Sequence, residues 1–299
     1  MTRIVLAYSG SAATAHAVER LVASRPGDEV VTLTLDLGQG KELEAVRDRA
    51  LAMGAVRAHV LDANDAFVRE YLLRALKAGA LADGDRSLVP LLTRPLIAQK
   101  LVEVAAIEHA TEVAHACPDA DDRIAVAVHA LAPQLAVVAV PRDATAAAPS
   151  GRTMSAPAEA ALVEISFERG APAALNGIAM PLLDLLGSLA IIAGAHRVDA
   201  ARVLNDAHAD LQQAIVPGKG EDLPRRYREI VERGRWFDPG REALDAQAAR
   251  LQDKVSGAVR LRLIDGRCEI IDRKQAKAGR RLSIVSPGAD AASRGPHNV

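Results

Sequence analysis

Residues 3–11 read RIVLAYSGS, a short apolar run that stops at a serine and a glycine. Its length and β-branched content favour a buried strand over a helix. Residues 14–23 follow with helical spacing, so that Ala15, Val18 and Leu21 share one face. A strand, a small-residue turn and a helix in this order bring backbone N–H groups and a helix N-terminus to one point. The opening therefore predicts an α/β unit. Its turn has the residues of a phosphate loop, but any strand-to-helix turn favours serine and glycine, and from these residues alone a plain turn is the preferred interpretation.

The same alternation of strand and helix continues to residue 140. Strand-like runs occupy residues 29–35, 58–62, 112–116 and 135–140, and helical spacing occupies residues 42–53, 66–78 and 95–109, with a further helix before the last strand. Strands that alternate with helices imply βαβ units and a parallel sheet. We therefore predict one α/β domain over residues 1–142.

The composition changes after residue 142. Residues 143–157 are rich in alanine, proline, serine and threonine, which predicts a linker or a remodelled loop. Residues 158–286 predict a smaller α+β domain, and residues 287–299 a disordered tail of small and polar residues. The predicted elements of the second domain are strands at 161–167 and 172–177, helices at 181–193, 223–233 and 243–254, and a hairpin of residues 257–264 and 267–272.

The composition argues against several classes of function. Of 299 residues, 49% are hydrophobic and 25% charged, and the net charge is −1, so nothing attracts nucleic acid or an anionic membrane. Only 2% are aromatic, too few for a base-stacking platform. Cys117 and Cys268 are too few for a disulfide framework or a cysteine metal site. Without a membrane-spanning segment or a signal peptide, we expect a soluble cytoplasmic protein.

Several motifs, in a common order over nearly the whole chain, resemble those of argininosuccinate synthase. They are IVLAYSG at residues 4–10, DLGQG at 36–40, RPLIA at 94–98, KLVE at 100–103, AHAC at 114–117, ALAP at 130–133, ALNG at 174–177, WFDPGREAL at 236–244 and VSGAVRL at 255–261. The chain is identified by this resemblance as a shortened member of that family.

The resemblance implies a parallel-sheet nucleotide-binding domain of the pyrophosphatase-loop type, similar to the adenine nucleotide alpha-hydrolases, followed by a synthetase-like α+β domain. Family members use ATP and magnesium to adenylate citrulline; aspartate then displaces AMP, and argininosuccinate and pyrophosphate are formed. They are commonly homotetramers, which implies a homo-oligomer here, or a hetero-oligomer with an intact family member. The cofactor-binding residues implied are Ala7, Tyr8, Ser9, Gly10, Ser11, Thr14, Leu35, His115, Ala116 and Cys117, and the substrate-binding residues are Arg123 and Thr153.

The phosphate loop departs from the family's SGGLDTS and reads SGSAATA at residues 9–15. Ser11 adds a Cβ where the family's second glycine lets the backbone approach a phosphate or take an unusual φ. Ala13 replaces an aspartate, a hard oxygen ligand suited to magnesium, and Ala15 replaces a hydroxyl donor. Because preorganised charge and metal dominate nucleotidyl transfer, these losses predict impaired catalysis.

The segments that hold the amino-acid substrates are altered as well. RSLVP at residues 86–90 stands where the family has YPLGT, which contacts citrulline, and PDADD at 118–122 replaces TGKGND. The family's RGVYE region is missing, and Arg202 leads through residues 203–206 to Ala207-His208, which resembles the start of the family's next helix. Residues 151–153 resemble its GRS element, with Thr153 as the hydroxyl.

Two functions stay open. The first is an impaired or inactive homologue, a scaffold or nucleotide-binding module with no assigned catalytic residue and no metal ligand. The alternative is an active ligase that forms AMP and pyrophosphate and joins citrulline, or a related ureido or carboxamide substrate, to aspartate or another amine, in arginine biosynthesis or a related pathway. The alternative is supported by residues that match the family: Ser9, Gly10, Asp36, Gln39, His115 and Arg123.

Two local patterns have a simpler explanation beside a chemical one. His115 and Cys117 lie two residues apart on a strand, as a base and a nucleophile would, but packing or nucleotide lining is the preferred interpretation. The carboxylates of Asp119, Asp121 and Asp122 suit a metal, yet a solvated acidic loop is preferred.

Overall fold

A computed structural model describes residues 2–38, 42–117, 122–141 and 159–275. The elements of its first half are β1 (Arg3–Ala7), α1 (Ala12–Ser24), β2 (Glu29–Asp36), α2 (Leu43–Ala52), β3 (Arg57–Asp62), α3 (Asn64–Ala66), a π-helical stretch (Phe67–Leu72), α4 (Leu73–Lys77), β4 (Ala82–Asp83), β5 (Arg86–Ser87), α5 (Val89–Ile107), β6 (Glu112–His115), α6 (Arg123–Leu131) and β7 (Ala136–Ala139). Five of the strands form one sheet in the order β3-β2-β1-β6-β7, with every pairing parallel. The predicted α/β class is confirmed.

The second half builds a second sheet, which is antiparallel and also has five strands. Its elements are β8 (Ala161–Glu168), β9 (Ala171–Leu175), β10 (Ile178–Ala179), α7 (Leu182–Ala195), α8 (Ala200–Ile215), α9 (Leu223–Glu232), α10 (Pro239–Gln252), β11 (Gly257–Ile264) and β12 (Arg267–Gln275). The strand order is β10-β9-β8-β11-β12. No helix of the described residues is both long and apolar enough to cross a bilayer.

Strand β1 lies at the centre of the parallel sheet and is buried on both faces. Ile4 and Leu6 pack on the side of α1 and α2, and Val5 packs on the side of α5 and α6, all without exposed surface. A parallel sheet covered by helices on both faces needs such continuous apolar strands. The apolar run that opens the sequence thus becomes the middle of the sheet.

The largest core cluster joins residues of both halves of the chain. Tyr71 stacks on Trp236 with ring centroids 4.9 Å apart, and Tyr227 meets Trp236 edge-on at 6.0 Å. The hydroxyl of Tyr227 donates to Asp245 Oδ1 at 3.0 Å. These aromatic contacts therefore hold α9 and α10 against the π-helical stretch, which contains Tyr71.

A buried carboxylate ties together the amino ends of the parallel strands. Glu108 has 1% of its surface exposed, and Arg57 Nη1 donates to its two carboxylate oxygens at 2.8 and 3.0 Å. Arg3 Nη1 donates to Oε2 at 3.2 Å, and His59 Nε2 lies 2.6 Å from Oε1. Burial alone would raise the pKa of Glu108, but the hydrogen bonds from His59 and Arg57 outweigh it and lower the pKa.

Several helices begin earlier than the sequence patterns predicted. Helix α5 was predicted from residue 95, but it begins at Val89, with Pro90 in its first turn, where a missing N–H is harmless, and with Pro95 inside the helix. Helix α10 was predicted from residue 243, but Asp238 accepts from Gly240 N at 2.7 Å and starts the helix at Pro239.

The resemblance placed the start of a helix at Ala207, which is also wrong. Asp199 accepts from the N–H groups of Ala201 and Arg202, at 2.6 and 3.2 Å, and therefore caps a helix that already begins at Ala200. The segment predicted as a linker, residues 143–157, and the predicted tail, residues 287–299, lie outside the described residues.

Candidate functional site

A pocket of about 390 Å³ opens where β1, β2 and β6 reach their carboxyl ends. The chain leaves β1 towards β2 on one side, while β6 pairs with β1 on the other. Parallel α/β sheets bind ligands in the crevice at such a reversal of strand order, and the volume is in the range of small-molecule sites. The lining residues are Ala7, Tyr8, Ser9, Thr14, Leu33, Leu35, Leu37, Thr93, Arg94, Ile97, His115, Ala116, Cys117 and Ile124.

Most of the residues implied by the resemblance meet in this pocket, namely Ala7, Tyr8, Ser9, Thr14, Leu35, His115, Ala116 and Cys117. Gly10 and Ser11 belong to the same loop but do not line the pocket. Arg123 also lies outside the lining: its Nε donates to the carbonyl oxygen of Glu232 at 2.7 Å, so it ties α6 to the end of α9. Thr153 lies outside the described residues.

The loop after β1 depends on a glycine. Gly10 has φ +72°, and a Cβ at this position would lie 2.9 Å from Val46 Cγ2. Its carbonyl oxygen accepts from Arg49 Nη1 at 3.2 Å. Ser11, in contrast, has φ −75°, a conformation open to any residue. Of the two costs expected from Ser11, an unusual φ is therefore wrong, because the positive φ belongs to Gly10, and the close approach to a phosphate stays a prediction.

Three hydroxyl groups form a hydrogen-bonded cluster at the start of α1. Ser9 Oγ donates to Ser11 Oγ at 3.0 Å, and Ser11 Oγ lies 3.2 Å from Thr14 Oγ1. Ser11 Oγ also accepts from Thr14 N at 3.4 Å and so caps the helix. The positive end of the helix dipole and these hydroxyls make the loop a favourable place for an anion.

Helix α5 supplies lining residues that the sequence patterns did not select. Thr93, Arg94 and Ile97 face the pocket from the second turn of the helix, and Arg94 is the one arginine or lysine in the described lining. The predicted helix began at residue 95 and therefore did not include Thr93 and Arg94. The spacing of 93, 94 and 97 is that of one helix face and is the signal that was available.

The wall formed by β6 contains an imidazole beside a thiol. His115 is 4% exposed, and its Nδ1 accepts from the backbone N–H of Cys117 at 3.3 Å. Both side chains line the pocket, which agrees with the preferred interpretation of this pair as lining. Tyr8 is buried as well, and burial raises the pKa of its phenol while the nearby Arg49 opposes this, so the phenol is neutral at physiological pH.

The described lining suits a nucleotide better than it suits magnesium. Its leucines and alanines form apolar walls for a base, and its hydroxyls and Arg94 suit a phosphate. Magnesium prefers carboxylate oxygens, but no lining residue in the described ranges carries one, and those ranges contain no cluster of side chains able to hold a metal ion. Ala13, in place of the family's aspartate, is buried in α1, and Asp119 and Asp121 lie outside the described residues.

A parallel α/β sheet with a glycine-containing loop and a pocket at its switch point defines the first half as an open α/β domain with a ligand crevice. The family described as "Arginosuccinate synthase N-terminal HUP domain" matches residues 3–154, and "Arginosuccinate synthase C-terminal domain" matches residues 196–288. The chain belongs to the argininosuccinate synthase family.

Curated relatives agree with this assignment. The chain is 32% identical to an argininosuccinate synthase of Geobacillus thermodenitrificans, over 91% of this chain and 86% of that protein. It is equally similar to one of Bacillus thuringiensis, over 91% of this chain and 87% of the relative. Each alignment covers 351 positions, more than the 299 residues of this chain, so the relatives contain segments that this chain lacks.

Proposed function

We propose that this chain binds an adenine nucleotide in the pocket at the carboxyl ends of β1, β2 and β6, and that it does not carry out the ligation of its family. One observation carries the proposal: the described lining keeps groups for a nucleotide but offers magnesium no carboxylate. On this proposal, the chain is a nucleotide-binding module, and its family's ATP is a ligand rather than a substrate.

The groups expected to hold the nucleotide lie at two ends of the pocket. Ser9 and Thr14, at the start of α1, are placed for the phosphates, and Arg94 approaches from α5. Leu35 and Ile97 provide apolar surface of the kind that buries a purine ring. Binding of the nucleotide needs no metal, because hydroxyls, backbone N–H groups and a guanidinium can bind phosphate by themselves.

The loss of ligation follows from the same loop. The family's chemistry builds negative charge on the oxygens of the transferred adenylyl phosphate and of the leaving pyrophosphate, and magnesium would neutralise it. Ala13 and Ala15 have no side-chain oxygen with which to hold a metal or a phosphate. Ser11 adds a hydroxyl, but that hydroxyl bonds to Ser9 and Thr14. The loop can therefore position an anion without activating it.

The second candidate is an active ligase, and it is favoured by the same pocket. Ser9 and His115, which match the family, lie together at the carboxyl ends of β1 and β6. If the undescribed acidic residues after Cys117 supplied the missing metal ligands, magnesium-dependent chemistry would be restored. The two candidates differ in their dependence on magnesium, and this difference makes them separable.

Calorimetry of ATP binding to the full chain, with magnesium or with a chelator, tests the proposal. We expect binding in both solutions, with dissociation constants within roughly a factor of three, because the described pocket holds no metal ligand. Thr93→Trp fills the pocket and should abolish the heat, whereas Ile107→Trp, on the exposed end of the same helix, should not. No binding in either solution contradicts the nucleotide role, and binding that magnesium strengthens roughly tenfold or more favours the ligase.

A further inference from the structure

A second pocket, of about 400 Å³, lies next to the nucleotide pocket along α5. Pro90 lines the second pocket, while Thr93 and Arg94 line the first. Residues three and four apart are neighbours on a helix face, and one turn rises only about 5.4 Å. The hydroxyl of Thr93 donates to the carbonyl oxygen of Pro90 at 2.8 Å, which links the two linings directly.

The walls of this second pocket are apolar. Leu81 and Leu204 are buried at 0% and 1% exposure, and Leu72, Val89 and Leu186 complete the leucine-rich surface. Five separate parts of the chain contribute these side chains: the π-helical stretch, the segment around β4, and helices α5, α7 and α8. Among the described residues, no lysine, arginine or histidine belongs to the lining.

The second pocket has few polar side chains, and these already accept hydrogen bonds from nearby backbone N–H groups. Ser87 Oγ accepts from Val89 N at 3.3 Å at the start of α5. Asp199 Oδ1 accepts from Ala201 N and Arg202 N as the cap of α8. Asp199 is exposed at the pocket, and its carboxylate forms no ion pair within the described part of the chain. Among the lining residues that the structure describes, Asp199 carries the single formal charge.

Two segments that differ from the family meet at this pocket. Residues 86–90 replace the family's YPLGT, and the beginning of α8 stands where its RGVYE region is missing. A ligand carboxylate would lie beside Asp199 with no cation in the described lining to pair it, which is unfavourable. The described lining therefore favours a ligand with a positive charge and an apolar body over an anion.

We infer that this second pocket binds a small aliphatic amine, whose ammonium group pairs with Asp199 and whose alkyl chain lies among Leu72, Leu186 and Leu204. The ligand class follows from charge complementarity to the one carboxylate and from the apolar walls. The inference depends on the lining of the second pocket and not on nucleotide binding, so either proposal can fail without the other.

Calorimetry of the full chain with hexylamine, hexanol and hexanoate, three probes of equal chain length, tests the charge. Hexylamine should bind roughly tenfold or more tightly than hexanoate, with hexanol between them. Asp199→Asn keeps a side chain able to cap α8 and should weaken hexylamine to the level of hexanol. Hexanoate binding as tightly as hexylamine, or an unchanged affinity for hexylamine in Asp199→Asn, would overturn the assignment of the charge.

A matched pair of variants tests the location. Ala190→Phe places a ring in the pocket from the exposed side of α7 and should abolish hexylamine binding. Ala195→Phe, at the exposed end of the same helix and outside the lining, should leave it unchanged. Hexylamine binding that survives Ala190→Phe, or no hexylamine binding to the unaltered chain, would overturn the site. ATP titrations of the same samples report the nucleotide pocket separately.

Discussion

A histidine in the core makes the stability of this chain sensitive to mild acid. His208 has no exposed surface, and its Nε2–H donates to Gln252 Oε1 at 2.9 Å. Gln252 Nε2 in turn donates to Lys77 O at 2.9 Å and to Gln212 Oε1 at 2.6 Å, which fixes the amide oxygen towards the imidazole. Burial lowers the pKa of His208 from 6.5 to about 4, and the hydrogen bond to Gln252 opposes this shift only in part.

The direction and size of the effect follow from this pKa. The unfolded chain takes up a proton on His208 as the pH falls below about 6.5, but the folded chain does so only near pH 4. Its contribution is therefore complete above pH 6.5 and is lost between pH 6.5 and pH 4. By linkage the loss from this residue is about 2 kcal/mol at pH 5 and approaches roughly 3 kcal/mol below pH 4.

Urea unfolding followed by circular dichroism at pH 7 and pH 5 measures the loss, with His208→Gln as the reference. The variant keeps an N–H donor for Gln252 but does not titrate, and all other ionisable groups are present in both proteins. The unaltered chain should lose about 2 kcal/mol more than the variant between the two pH values. Equal losses in the two proteins would refute the assignment of a buried, neutral His208.

Two further variants test individual contacts by urea unfolding. Glu108→Gln removes the buried carboxylate held by two arginines and should lower the free energy of unfolding by about 2 kcal/mol at pH 7. The difference should become smaller as the pH falls through the lowered pKa of Glu108. The control variant Glu103→Gln, at an exposed ion pair, should lower it by less than about 1 kcal/mol. Equal costs would contradict the role of Glu108. Gly10→Ala should destabilise more than Gly27→Ala, because both glycines have positive φ but only the first would place a Cβ against Val46, and the reverse order would be inconsistent with the loop.

The parallel sheet could be predicted because each of its strands, and each helix between them, shows a recognisable pattern within a short stretch of sequence. Runs such as residues 3–8 and 29–35 are short and apolar, and a segment with helical spacing separates them. Each of these features can be recognised from the sequence without a structure. The meeting of Ser9, Leu35 and His115 also follows from sequence, since parallel strands end at one edge. That these residues bind a ligand is a prediction that comes from the family resemblance.

The remaining features depend on contacts between distant segments. Arg94 joins the pocket because α5 starts before Pro95, and a proline in the sequence cannot show whether it stands at the first turn or inside the helix. The family resemblance implied a substrate role for Arg123, whereas its guanidinium donates to the backbone carbonyl of Glu232, more than a hundred residues away in the sequence. Asp199 was a readable helix cap, yet the family pattern directed attention to Ala207 instead.

Pyrophosphate release from ATP, with magnesium, citrulline and aspartate present, tests most directly whether this member of the argininosuccinate synthase family has lost ligation. The proposed function predicts that purified full-length protein binds ATP but releases pyrophosphate no faster with both amino acids than without them. Release that requires both amino acids and matches the amount of argininosuccinate formed would contradict it and establish an active ligase.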